Sequence, residues 1–407
     1  MHRLGRVSAH LFATATLVTI VAAVVAYASD QRTEAKAPDE VFTELAPLTA
    51  RDGMAEAHFG ASLAVDHHTA VITSTQAVYI FQRRRPNDDD RAGGWRQTAK
   101  LRLPRHDGVL QSDAVAISGD TVLVRLVSGR IAVFDRHQGG AQGWAHVATL
   151  EPDLDDDRRS VTAVAISNDT AAVATIAHDF SDFPPGKVHI FQRNAGGRNV
   201  WGEVAQVQAP TENRYLRFAF GVGIALERDT LVVVADATTG LGSETYVFER
   251  HPGKTRSEPD KWLPKATLGG FNHFNSVSMS GDTIATTAGE YLASVGIHER
   301  RKGRRWAPIK QWRLGSEVCC AATATVGGVI LAVSARESGH LLLYTRGKGG
   351  PGGWEQVGAF DIGPYPGFHG FPTGVTRDTV LVGAYLDDTP AGHAAGAVRV
   401  YAARKRP

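Results

Sequence analysis

The chain is poor in cysteine and methionine, with 2 Cys and 3 Met in 407 residues. Two cysteines cannot build a disulfide scaffold or a four-cysteine zinc site. An excess of charge of one sign is missing as well: Lys+Arg number 44 and Asp+Glu 42. Nucleic-acid binding normally shows as a strong basic excess, so no nucleic-acid partner is expected. After residue 28 there is no apolar run of membrane-spanning length, and helical periodicity is almost absent. The local signatures G-x-S-x-G, H-E-x-x-H and the P-loop are missing too, as is an Asp-box of the sialidase kind. Glycine is abundant, 43 residues in short clusters without a collagen period, which points to many turns. Hydrophobic residues at 43% and charged residues at 21% are ordinary for a globular protein.

Residues 1–28 contain no Asp or Glu. Arg3 and Arg6 precede an apolar run from Leu11 to Val25, and Ala26-Tyr27-Ala28 has the small-residue pattern of a cleavage site before Ser29. This order predicts a secretory signal peptide and an exported protein, periplasmic, extracellular or on the cell surface. The rival reading is an uncleaved anchor, since Leu11 to Ala28 is 18 residues, near the lower limit for a span. A membrane association follows only from that second reading. Residues 29–40 are polar without apolar period and read as a linker.

Self-similarity organises the remainder. A small-and-apolar strand, a turn usually ending in Asp-Thr and a second apolar strand recur, as in Ile117-Ser118-Gly119-Asp120-Thr121-Val122-Leu123-Val124. The aligned positions 69, 121, 170, 230, 283, 329 and 379 lie 46 to 60 residues apart, giving seven copies. Each is followed by a β-rich strand ending in an aromatic or His and usually Arg, such as Val78-Tyr79-Ile80-Phe81-Gln82-Arg83. A Gly- or charge-rich turn then leads to Trp and a fourth strand. These tryptophans are 95, 144, 201, 262, 306 and 354, six where seven are needed, and Trp312 is left unassigned. The segment Val41-Phe42-Thr43-Glu44-Leu45-Ala46-Pro47-Leu48 resembles the strands that follow the tryptophans and supplies the missing one. The predicted fold is therefore all-β: a seven-bladed β-propeller of four-stranded antiparallel blades over residues 41–403. Its N-terminal strand, about 41–48, closes the last blade. A single blade of about 50 residues cannot bury both faces, and a closed ring leaves none unpacked.

Phe59-Gly60-Ala61-Ser62 and Phe220-Gly221-Val222-Gly223 share an F-G-x-small opening. Val382-Gly383-Ala384-Tyr385-Leu386-Asp387-Asp388, followed by Gly396-Ala397-Val398-Arg399-Val400-Tyr401, has a G-A-x-x-D-D…G-A-V-x-V-Y form. In these features the chain resembles FG-GAP repeat proteins, the repeat of integrin alpha-subunit propellers, in their bacterial exported type. The resemblance implies the propeller fold and little about activity. Calcium-binding copies of that family carry D-x-D-x-D-G-x-x-D loops. Here the equivalent turns, such as Ser118-Gly119-Asp120-Thr121, keep one Asp, so no calcium and no other cofactor is expected.

Propeller topology sorts the loops. Turns inside the first and third hairpins share one face, and the second-to-third-strand and interblade connections share the other, which is the face expected to carry a site. There lie His178-Asp179, Asp387-Asp388…His393, His58, His106, His273 and His369, an imidazole set whose convergence on a metal the non-local spacing leaves open. The acidic run 153–157 reads as a solvated loop, and Asp88-Asp89-Asp90 beside Arg83-Arg84-Arg85 as a self-neutralising turn. Cys319 and Cys320 stand adjacent at the start of an innermost strand. A vicinal disulfide and separately packed thiols are both open. The aromatic segments holding Phe271, His273 and Phe274, and Tyr365, Phe368, His369 and Phe371, are the expected ligand surface, because aromatics with Gly and Pro give rigid contact area. With no local catalytic motif and no catalytic residue assigned, the sequence favours a binding scaffold for a protein, glycan or surface partner. An extracytoplasmic polysaccharide hydrolase or lyase stays open, because blades can contribute carboxylates separately.

Overall fold

The computed structural model describes residues 42–84, 92–104, 115–136, 143–155, 159–177, 184–236, 242–253, 258, 260–269, 274–289, 293–301, 305–314, 322–335, 338–347, 353–363 and 371–403. They form seven four-stranded antiparallel sheets. Blade 1 holds Leu63–Asp66, Thr69–Thr73, Val78–Arg83 and Trp95–Leu101. Blades 2 to 6 follow over 115–150, 159–207, 220–268, 274–313 and 322–361. Blade 7 takes Thr373–Val375, Thr379–Ala384 and Ala397–Ala403 from the C-terminal end and Phe42–Leu48 from the N-terminal end. The innermost strand of each blade touches those of both neighbours, and blade 7 meets blade 1, so the ring is closed. The sequence expectation of a seven-bladed propeller with an N-terminal closing strand holds.

Within a blade the second and third strands are buried on both sides, as in Val71-Ile72 and Val78-Tyr79-Ile80-Phe81, because blades cover both of their faces. The outer strand alternates buried and exposed residues, as Trp95–Leu101 does. In blades 1, 2 and 6 the tryptophan opens the outer strand opposite the arginine that ends the third, as Trp95 does against Arg83 and Trp354 against Arg346, and in blades 4 and 5 it holds the same register against Arg250 and Arg300. Its ring enters the cluster shared with the preceding blade: Trp95 joins blade 7 residues Leu381 and Val400. In blade 7 the same register pairs Phe42 with Ala403, and Phe42 is wholly buried among Ile330, Leu343 and Tyr401. Phe42 is thus the seventh aromatic of the ring.

The F-G opening has a physical reason. Phe59 packs on Tyr79 and Phe81 of its own third strand, with ring centroids 5.5 and 5.8 Å apart, and Phe220 does the same with Tyr246 and Phe248 at 6.0 Å. The next residue, Gly60, takes φ +97°, and a Cβ there would lie 2.5 Å from the Ala397 carbonyl oxygen. Gly396 closes from the other side, where a Cβ would meet the Phe59 oxygen at 2.2 Å. Main chain therefore meets main chain across the blade 7–blade 1 junction, which only glycine permits.

Two further ladders tie the blades. The last innermost-strand side chain accepts a hydrogen bond from a turn N–H of the next blade: Ser118 Oγ from Asn168 at 2.9 Å, Ser167 Oγ from Arg228 at 2.7 Å and Ser280 Oγ from Gly328 at 2.9 Å. The third-strand arginines form the second. Arg193 Nε bonds the turn Asp169 of its own blade at 2.8 Å and reaches Asp135 and Thr121 of blade 2 with its other nitrogens. Arg300 and Arg346 repeat this toward Glu249 and Thr230, and toward Glu299 and Thr283.

Candidate functional site

The innermost strands of all seven blades line one axial cavity of about 280 Å³. Its wall is made mostly of small or aliphatic side chains, among them Ser62, Val115, Ala163, Gly223, Ser276 and Thr325, with Phe371 also in the lining. Strands converging on an axis leave little space for larger ones. The wall hydroxyls that carry described hydrogen bonds turn sideways. Ser276 Oγ accepts from Ala324 N at 2.9 Å and Ser278 Oγ from Val326 N at 3.0 Å, while Thr325 Oγ1 donates to Thr373 O at 3.3 Å. They replace a sheet ladder between blades. None of the described residues lining this cavity carries an ionisable side chain. The wall itself offers neither a general acid or base nor a hard-metal ligand set.

The face where innermost strands begin, called upper here, carries the strongest polar grouping at the blade 7–blade 1 seam. The segment 56–59 pairs by backbone with 393–395: Glu56 N donates to His393 O at 2.9 Å, His58 N to Ala394 O at 3.1 Å and Phe59 N to Ala395 O at 3.0 Å. Glu56, His58 and Ala394 all adopt positive φ, 58°, 51° and 45°. Non-glycine residues in that region hold strain, and such strain gathers at sites under functional constraint. Two imidazoles face the Glu56 carboxylate, His58 Nε2 at 3.6 Å and His393 Nε2 at 3.9 Å. His393 Nδ1 lies 2.8 Å from Asp388 Oδ1. The Ala394 N–H, and then His393, hold the Asp388 carboxyl below its usual range. Asp387 pairs with Arg399 at 3.2 Å, and Tyr385 stands edge-on to His58 at 5.9 Å. The grouping is a solvent-facing network of hydrogen-bonding and charged groups. Among the described residues no set of three or more His, Cys, Asp or Glu has metal-binding geometry.

Of the imidazole set, the structure brings His58 and His393 together. His106, His178, His273 and His369 lie outside the described residues, as do Cys319, Cys320, Phe271, Tyr365 and Phe368. Phe274 opens the innermost strand of blade 5 opposite Ala288, and its side chain is not among those described. Phe371 departs from the expected ligand surface. It is 0% exposed and belongs to the core between blades 6 and 7 with Ile330 and Val380. What it offers to its surroundings is its carbonyl, which accepts from Ser334 Oγ at 3.1 Å and Thr373 Oγ1 at 2.8 Å. An aromatic just before an innermost strand points inward there, as Phe59 does.

Of the acidic run, Asp155 is not simply solvated. Asp155 binds Nε of Arg159, whose side chain is 2% exposed, and that contact holds the Asp155 carboxyl below its usual range. The turn aspartates likewise have arginine partners, Asp229 with Arg250 Nε at 2.7 Å and Asp282 with Arg300 Nε at 3.3 Å. Sequence reading missed this ladder. Its signal was present in the recurrence of turn Asp, terminal Arg and an acid or amide before that Arg.

No family model and no curated protein matches the chain. Among solved structures, Kluyveromyces lactis Hsv2 is similar over 78% of this chain and 87% of its own, at 11% identity and a TM-score of 0.49. A second Hsv2 structure, with complete loop 6CD, is similar over 79% and 89%, at 10% identity and a TM-score of 0.50. At such identity the second likeness bears on the fold alone. The propeller is what this chain shares with it.

Proposed function

We propose that this chain is an exported, non-catalytic propeller scaffold that binds a protein, glycan or cell-surface partner through the loops of its upper face. The observation that carries this reading is the axial cavity. Seven strands meet there with neutral, mostly small side chains, and the hydroxyls of Ser276, Ser278 and Thr325 are engaged by neighbouring blades. The upper face carries interblade loops of unequal length and the polar seam of Glu56, His58 and His393. A rigid ring presenting variable loops recognises partners without rearrangement. We place the chain in the FG-GAP group on its motifs. The glycine-mediated backbone approach of Gly60 and Gly396 supports that placing, since it explains why F-G and G-A-V recur across a junction. Export rests on residues 1–28, with cleavage before Ser29.

The test is to express the full chain in a secreting host, sequence the N-terminus of the exported product, and incubate it with soluble extracellular polysaccharides. The expected product begins at Ser29 and retains polymers on a binding assay without releasing reducing ends or unsaturated sugars. Release of either would overturn the scaffold reading in favour of a hydrolase or lyase.

A further inference from the structure

We infer that the outer crevice between blades 5 and 6 is a saccharide site for a uronate-bearing glycan. It lies on the wall of the ring, apart from the upper-face loops, and stands whether or not those loops bind a partner. The register identifies what is unusual there. At the outer-strand position paired with Val78, Ile131, Val188, Thr245 and Val398, five blades place an aliphatic side chain, Leu101, Leu150, Val207, Leu268 and Leu48, each 2% to 4% exposed, and blade 6 places Phe360 against Leu341. In blade 5 that position, opposite Val295, is Trp312, and it is only half buried. Five blades fill this point with Leu or Val; the Trp312 indole packs against the core shared with blade 6 and also lines the crevice.

The crevice encloses about 530 Å³, within the ordinary range of small-molecule sites. Trp312 stands edge-on to Tyr344 with centroids 5.4 Å apart. Lys310 Nζ is held 5.1 Å from the Trp312 ring centre and donates to the Trp354 carbonyl at 2.8 Å. The blade 6 side is open because Ala359 stands where blade 1 has Lys100 laid across Tyr79. Arg313, His340 and Gln356 complete the polar lining, and His340 Nδ1 is buried without a partner among the described residues. Among the described lining residues are two cations, Lys310 and Arg313, and no carboxylate.

This combination selects a ligand class. A pyranose ring presents an apolar C–H face that packs on an indole, and hydroxyls at its edge that need fixed amide and imidazole partners. Lys310 and Arg313 give the crevice a cationic edge beside the ring, which a sugar carboxylate meets. Neutral glycans leave Lys310 and Arg313 unmatched.

The experiment is calorimetric titration of the full exported chain with an oligogalacturonate, beside a cellodextrin of equal length and a sulfated oligosaccharide. The oligogalacturonate is expected to bind roughly tenfold tighter than the cellodextrin, and less tightly as salt rises. Trp312→Leu installs the residue that four other blades use at this position, so it is expected to fold with unchanged circular dichroism and to weaken binding roughly tenfold or more. Arg313→Gln is expected to erase the preference over cellodextrin while leaving the fold intact. Undetectable oligogalacturonate binding, equal binding by Trp312→Leu, or tighter binding of the neutral or sulfated sugar would each overturn the assignment.

Discussion

Phe42 stands opposite Ala403 at the register where Trp95 stands opposite Arg83, so the ring closes through an aromatic from one end of the chain against a strand from the other. The indole-and-guanidinium pair of other blades, such as Arg346 lying 5.1 Å from the Trp354 ring centre, is replaced there by a phenyl ring and a methyl group. Among the described residues no arginine latches the junction of blades 6 and 7, where Phe42 packs with Ile330, Leu343 and Tyr401. Phe42→Ala is expected to cost about 3–5 kcal/mol, the range for emptying a buried phenyl site. Urea unfolding followed by tryptophan fluorescence measures it. A loss below about 1 kcal/mol would show that Phe42–Leu48 is dispensable for closure.

The arginine ladder gives a prediction with an internal control. Arg193 is 15% and Asp135 10% exposed in their side chains, and Asp135 raises the Arg193 pKa further above its usual value. Arg193→Ala leaves Asp135 and Thr121 of blade 2 without that partner, with an expected cost of about 2–4 kcal/mol. Glu151, 69% exposed and 3.8 Å from Arg130, is the contrast. Glu151→Ala is expected to change stability by less than about 0.5 kcal/mol. Equal effects of the two substitutions would remove the ladder from the account of ring stability.

Much of the ring was legible because strand periodicity and turn chemistry repeat seven times, and seven independent copies of a weak local signal make a strong one. The closing strand was legible for the same reason, through the likeness of Val41–Leu48 to other outer strands. The seventh aromatic escaped because the pattern was followed as tryptophan, while the position demands only a large ring beside the third strand. Trp312 escaped in reverse: it looks like another repeat tryptophan but occupies the position that five blades fill with Leu or Val. Phe371 was read outward because a Gly-Pro-rich segment has no period to tell inside from outside. His58 and His393 meet through ring closure, a contact that no local spacing encodes.

Glycine positions of similar φ sign separate by what surrounds them. At Gly119, φ +56°, a Cβ would find nothing within 4 Å, whereas at Gly60 it would lie 2.5 Å from the Ala397 oxygen. Gly119→Ala bears only the left-handed backbone cost, about 1 kcal/mol. Gly60→Ala bears that and a main-chain clash across the closing junction, with an expected total above about 3 kcal/mol. Thermal unfolding of the two variants side by side distinguishes them, and equal melting temperatures would deny the close approach its role.

His298 occupies the place that Phe81, Phe134, Phe191, Phe248, Tyr344 and Tyr401 hold in the other blades. It is 5% exposed, and neither ring nitrogen has a partner among the described residues. Burial pushes its pKa down to about 4 from 6.5. The folded state therefore holds a neutral imidazole, while the unfolded chain takes up a proton as pH falls below 6.5. Stability is at full value above that point and declines toward pH 4, beneath which the loss levels off at about 3 kcal/mol. Between pH 7 and pH 5 this single group accounts for about 2 kcal/mol. His298→Phe installs the aromatic used elsewhere in the ring and removes the titrating group. The variant is expected to be more stable at pH 7, through two fewer unpaired buried nitrogens, and to lose about 2 kcal/mol less than the native chain on acidification to pH 5. Denaturant melts of both proteins at the two pH values give the comparison. Parallel losses would place the acid sensitivity of the ring in its carboxylate–arginine ladder instead.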